Sequence, residues 1–232
     1  KYLYYYFLLV CFISFLILIS KKNYFFFKNY YFLILIFFSI IIKLLIHDNN
    51  YEFGGHDVKI FLENNKFGVT TNLLYEKISY WLLYYFNSGL TILFFFNVLL
   101  GLLSALLVFE ISNHLFKNKF ISFVIYIFFL LYLPSSSVET LLRTDLLYNF
   151  ILFLSISVSL KVNKNFSIFN LITLLINFIL LSTCKEQTIY ILPLYLIFFL
   201  INKKYLIISL LIITTLVTNI LVKSLNYSDK GI

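Results

Sequence analysis

Tyr205-Leu-Ile-Ile-Ser-Leu-Leu-Ile-Ile-Thr-Thr-Leu-Val-Thr-Asn-Ile-Leu-Val222 runs for eighteen residues without a charged side chain, bounded by Lys203-Lys204 before it and Lys223 after it. An α-helix rises 1.5 Å per residue, so a stretch of this length crosses most of the ~30 Å hydrocarbon layer of a bilayer. Barrel strands would be about half as long and would alternate in polarity, which this stretch does not. The pattern recurs upstream in apolar runs at 2–20, 30–46, 80–110, 120–134, 145–160, 166–183 and 188–201. The expected fold is therefore all-α, a polytopic transmembrane helical bundle of about eight spans. The 80–110 run is long enough to hold an in-plane helix followed by a crossing.

Composition supports the same reading. With 62% hydrophobic and 12% charged residues and a mean hydropathy of +0.95, the chain of 232 residues lacks the polar surface that a soluble globule needs. The heavy use of Phe, Tyr, Ile, Asn and Lys has the character of AT-rich coding, so single aromatic stripes carry little weight. Cys11 and Cys184 stand in different apolar runs and read as small apolar filler, neither a disulfide framework nor a metal site. The first run is too long and too uniformly apolar for a signal peptide and has no small-residue cleavage site. The chain starts with Lys, so residues 1–232 are expected to be a single transmembrane domain incomplete at one or both ends.

Charge is divided between alternate joins. One set holds Lys21, Lys22, Lys28, Lys117, Lys119, Lys161, Lys164, Lys203 and Lys204 and no carboxylate, which assigns it to the cytoplasmic side. Nine of the ten carboxylates fall in the other set, Glu110 being the exception. The net charge of +8 thus reads as membrane topology, with no nucleic-acid footprint. Segregated acids point to chemistry on the non-cytoplasmic face.

The longest polar interval, 47–77, carries Asp48, Glu52, Asp57, Glu63 and Glu76 on that face. At about thirty residues it exceeds an ordinary connector. Gly54-Gly55 breaks the chain, and Asp57 is placed to cap a short interfacial helix over 58–65 with Val58, Phe61 and Leu62 on one apolar side. Capping alone would also explain Asp57. Tyr80, Trp81, Tyr84 and Tyr85 then form an aromatic belt of the kind found at membrane interfaces. Further on, Asp145 sits where a helix N-terminus stabilises an anion and can hold a cation or a divalent metal. Arg143 is the sole arginine, a planar donor suited to phosphate or carboxylate. An Arg and Asp pair anchoring the helix at the headgroups would explain both residues equally well. Lys185, in the short Cys184-Lys-Glu-Gln-Thr188 turn, reaches the same side or snorkels as an anchor.

Asp57, Tyr75-Glu-Lys-Ile-Ser-Tyr-Trp-Leu82, Leu142-Arg-Thr-Asp145 and Thr183-Cys-Lys-Glu186, with spans of these lengths between them, resemble the GT-C type membrane glycosyltransferases. That group contains the protein O-mannosyltransferases and the bacterial aminoarabinose transferases. The likeness covers roughly residues 30–222. It is strongest from Asn97 to Tyr148, through Leu99-Leu-Gly-Leu-Leu-Ser-Ala-Leu-Leu-Val108, Leu115-Phe-Lys-Asn-Lys119 and Leu131-Tyr-Leu-Pro-Ser135. The family's double proline before the Tyr-Trp-Leu element is absent.

The resemblance implies a transferase that moves a sugar from a polyprenyl-phosphate donor to a hydroxyl of a glycan, lipid or protein acceptor, within membrane lipid. It implies Asp57 as the first-loop general base, with Asp48 as the competitor, making 47–77 a catalytic loop. It matches Asp145 to the second outer-loop acid and Lys185 to the basic residue of the following outer turn. Attack at the anomeric carbon would invert it, and the leaving phosphate would be held by Arg143, Lys185, or a Mg or Mn ion at Asp145 and Asp57. The implied setting is a multi-pass protein of a bacterial inner membrane, in preference to the endoplasmic reticulum, with its active face non-cytoplasmic. Two alternatives stay open: a flippase or transporter of lipid-linked sugar, and a polytopic protein without catalysis.

Overall fold

The computed structural model describes residues 73–86, 90–131, 145–184 and 188–228, and every regular element among them is a helix. In chain order these are α1 (Leu73–Phe86), α2 (Leu90–Phe116), α3 (Lys119–Leu131), α4 (Asp145–Lys164), α5 (Ile168–Cys184), α6 (Thr188–Ile201) and α7 (Tyr205–Ser228). Three contain a stretch long and apolar enough to cross a membrane: Phe95–Phe116, Asp145–Lys164 and Tyr205–Val222. The apolar helices α3, α5 and α6 are shorter than that. The runs expected at 2–20 and 30–46 lie outside the described residues.

The run expected at 80–110 is two helices, α1 and α2, and the first begins at Leu73, inside the stretch expected to be loop. The reason is side-chain burial. Leu74, Tyr75, Ile78 and Leu82 are all buried, spaced so that they share one helical face. The Tyr75 hydroxyl donates to Asn97 Oδ1 of α2 at 3.2 Å, which gives both buried polar groups a partner.

Helices this apolar leave their ends as the main polar problem, because the first N–H and last C=O groups of a helix have no partner within it. Asn118 caps α3, its Oδ1 accepting from Phe120 N at 2.9 Å and Ile121 N at 3.3 Å. Lys117 closes α2 in the left-handed region at φ 52°, its N–H reaching Asn113 O at 3.1 Å. Lys203 closes α6 at φ 56°. Its N–H bonds to Leu200 O at 3.0 Å and that of Lys204 to Phe199 O at 2.9 Å, the paired bonds of a Schellman ending. Glycine or asparagine is the usual occupant of such a position, and lysine there costs about 1 kcal/mol of backbone energy.

Several hydroxyl groups within the helices bond to the turn before them: Ser104 donates to Leu100 O, Ser112 to Val108 O, Ser159 to Ser155 O and Thr173 to Phe169 O.

Two layers of contact organise the bundle. α2 packs on α3 and α4, α4 on α5, and α5 on α7, while α1 rests on α2 and α5 and α6 on α7 and α5. The main core runs through Leu154 of α4, Leu174 and Phe178 of α5, Phe199 of α6 and Leu211 of α7. A second core, between α2 and α3, centres on Ala105 and Tyr126. Gly101 and Ala105, both buried and one turn apart, let neighbouring helices approach α2 closely.

Candidate functional site

Asp145 is the first residue of α4 and is half-buried, so its carboxylate sits at the positive end of that helix. One turn later Tyr148 faces Thr188 and lies close to Cys184. Those two residues flank 185–187, and both are fully buried. The first turn of α4 therefore stands beside the last residue of α5 and the first of α6, at one end of the bundle. Cys184 is the buried last residue of α5.

Asp57, Asp48, Arg143 and Lys185, the helix expected over 58–65 and the loop before Leu73 lie outside the described residues. Of the expected aromatic belt, Trp81 and Tyr85 have described side chains. Both are exposed, and their ring centroids are 5.1 Å apart. Among the described residues no group of three or more His, Cys, Asp and Glu side chains could hold a metal. The expected ion at Asp145 would need Asp57, beyond that set.

A polar seam joins α4 to α6. Tyr148 faces Thr188, Ser155 hydrogen-bonds to Tyr195, and Asn163 Nδ2 donates to Asn202 Oδ1 at 3.0 Å just past the end of α6. Residue numbers rise together along both helices, so α4 and α6 run parallel. Donor and acceptor roles follow from the other bonds these groups make. Ser155 Oγ gives its proton to Leu152 O at 2.8 Å, so the Tyr195 hydroxyl is the donor to Ser155. Asn202 Nδ2 donates to Phe198 O at 2.7 Å, leaving its carbonyl for Asn163. Phe178 of α5 closes the middle of the seam, edge-on to the Tyr195 ring at 4.8 Å.

None of these pairs was sought from the sequence, although a signal was present. Thr188, Tyr195 and Asn202 fall at seven-residue steps, and Tyr148, Ser155 and Asn163 at steps of seven and eight. Such spacing keeps polar groups on one stripe of a helix that is otherwise apolar.

At the other end, the joins at 117–119, 161–164 and 203–204 converge. Lys161 Nζ lies 2.6 Å from Glu110 Oε1, and Ser157 Oγ donates to Glu110 Oε2 at 2.9 Å, tying the last turns of α2 to α4. The Asn163–Asn202 bond ties the last turn of α4 to the α6–α7 join. Glu110, the carboxylate that broke the charge segregation, is thus held on both oxygens among the lysine turns. Its side chain and that of Lys161 are 19% and 26% exposed, enough shielding for this pair to outweigh an ordinary surface ion pair.

No protein-family model, curated protein or solved structure matches the chain.

Proposed function

We propose that the chain is a multi-pass membrane glycosyltransferase, transferring a sugar from a polyprenyl-phosphate donor to an acceptor hydroxyl on the non-cytoplasmic side. The resemblance of Tyr75–Leu82, Leu142–Asp145 and Thr183–Glu186 to the GT-C transferases supports this reading. The structural observation that carries it is the placement of Tyr148, in the first turn of α4, beside Cys184 and Thr188, the last residue of α5 and the first of α6, at the end away from the lysine turns. A site assembled from successive outer turns requires this juxtaposition.

In the proposed reaction Asp57, with Asp48 as the alternative, takes the proton of the acceptor hydroxyl as its oxygen attacks the anomeric carbon. The bond from that carbon to the lipid phosphate oxygen breaks, the configuration inverts, and Arg143 and Lys185 receive the departing negative charge. The polyprenyl chain keeps the donor in the membrane, so no nucleotide-binding loop is needed. Purified protein in proteoliposomes, given polyprenyl-phosphate hexose labelled in the sugar and a mixture of glycan, lipid and peptide acceptors, should release polyprenyl phosphate and form an inverted glycoside. Intact donor after exhaustive incubation would count against the reaction.

A transporter of lipid-linked sugar is the second reading, favoured by the polar seam that follows α4 and α6 from Tyr148 to Asn163. A transporter would carry the labelled donor across the vesicle unchanged, whereas the transferase consumes it.

A further inference from the structure

We infer that the end of the bundle formed by the lysine turns is a binding surface for anionic phospholipid headgroups, with Lys117 and Lys203 as its principal contacts. This rests on the membrane reading of the chain and is independent of the proposed transfer reaction.

Three observations carry it. First, the turns form one surface, because Glu110 with Lys161 and Ser157 joins α2 to α4, and Asn163 with Asn202 joins the next two turns. The ion pair also places the Glu110 charge against Lys161, so the surface presented by Lys117, Lys119, Lys164 and Lys203, all exposed, is strongly positive.

Second, lysine occupies the left-handed closing position of both α2 and α6, at φ 52° and 56°. Glycine would fit these endings with less strain, and strain kept at two turns on one surface points to a use for the side chains that glycine lacks.

Third, each turn sets exposed apolar side chains beside its cations: Phe116 and Phe120 flank 117–119, Phe166 follows Lys164, and Tyr205 follows Lys204. A phosphate carried on acyl chains matches both parts of this surface. Free phosphate and nucleic acid match only the charge. The turns also adjoin the three stretches long enough to cross a membrane, Phe95–Phe116, Asp145–Lys164 and Tyr205–Val222, which sets the lysines at headgroup depth.

The full chain in nonionic detergent micelles is titrated with phosphatidylglycerol, phosphatidylcholine or inorganic phosphate, and bound lipid is counted by native mass spectrometry. Wild type should hold phosphatidylglycerol in preference to phosphatidylcholine, with inorganic phosphate a poor competitor. Lys117→Gly with Lys203→Gly should weaken phosphatidylglycerol about 25-fold, roughly fivefold per lysine near an anionic surface, and leave phosphatidylcholine unchanged. Glycine suits both backbone positions, so the variant should fold. Lys117→Arg with Lys203→Arg should retain the preference, and Lys164→Gln alone should lose less than the roughly fivefold expected of each principal lysine. Unchanged preference in the glycine variant, equal loss in the arginine variant, or competition by inorganic phosphate at equal concentration would each overturn the assignment. Failure here would leave the transfer reaction untouched, since no sugar donor is involved.

Discussion

Replacing Ser155 by Ala should destabilise the chain more than replacing Tyr195 by Phe, although the two changes remove opposite ends of one hydrogen bond. The difference follows from what each change leaves behind. In Tyr195→Phe, Ser155 keeps its bond to Leu152 O at 2.8 Å, and the ring keeps its edge contact with Phe178. The loss is one interhelical hydrogen bond, about 0.6 kcal/mol and at most ~1.7 kcal/mol between helices in a membrane. Ser155→Ala instead strands the Tyr195 hydroxyl, whose side chain is only 6% exposed, at a cost of about 1–3 kcal/mol. Adding Tyr195→Phe to Ser155→Ala removes the stranded group, so the double variant should be more stable than Ser155→Ala by about 1 kcal/mol. Unfolding in mixed micelles of increasing SDS content, followed by helical circular dichroism, reads all four species. Additive losses, or a serine variant no weaker than the phenylalanine one, would show that the seam is not held as described.

Other expectations concern the lysine end. Glu110→Ala should destabilise the chain by more than the ~0.5 kcal/mol of an exposed pair, because it leaves Lys161 and Ser157 facing a space without an acceptor. The exchange Glu110→Lys with Lys161→Glu should recover part of that stability in the same unfolding assay. Lys117→Gly and Lys203→Gly, measured singly in neutral detergent, should each raise stability, by at most about 1 kcal/mol: relief of the left-handed strain is partly offset by the greater freedom of glycine in the unfolded chain.

The ends of α5 and α6 and the start of α7 could be read closely from the sequence because apolar runs there stop at charged or polar pairs, whereas α7 continues past the expected end at 222, through Lys223, to Ser228. Lys203-Lys204 before Tyr205 and the Cys184–Thr188 turn mark breaks that any membrane reading must respect. The length of the 80–110 run allowed two helices, but the position of the break between α1 and α2 was hidden because Asn87-Ser88-Gly89 carries no charge and sits between equally apolar stretches. The early start of α1 was hidden for another reason. Tyr75 is fixed by Asn97, 22 residues away, and no local pattern reports such a partner. Glu110 is similar, since its position on the lysine side became intelligible only beside Lys161 and Ser157. The seven-residue spacing of Thr188, Tyr195 and Asn202 could have been read, but tyrosine and asparagine are abundant throughout the chain and the spacing gains meaning only opposite α4. Of the candidate site, the position of Asp145 at a helix start was legible from the polar turn before an apolar run. Asp57, Asp48, Arg143 and Lys185 lie beyond the described residues.

The proposed transfer reaction depends most directly on its general base, so the decisive assay compares wild type with Asp57→Ala and Asp145→Ala in proteoliposomes loaded with polyprenyl-phosphate hexose and acceptor. Loss of the base should lower the rate of polyprenyl phosphate release by about 10²-fold or more, with the donor still bound. Asp145→Ala should also slow release, through loss of the carboxylate at the start of α4. Full wild-type rates in both variants would show that neither carboxylate takes part and would remove the catalytic assignment.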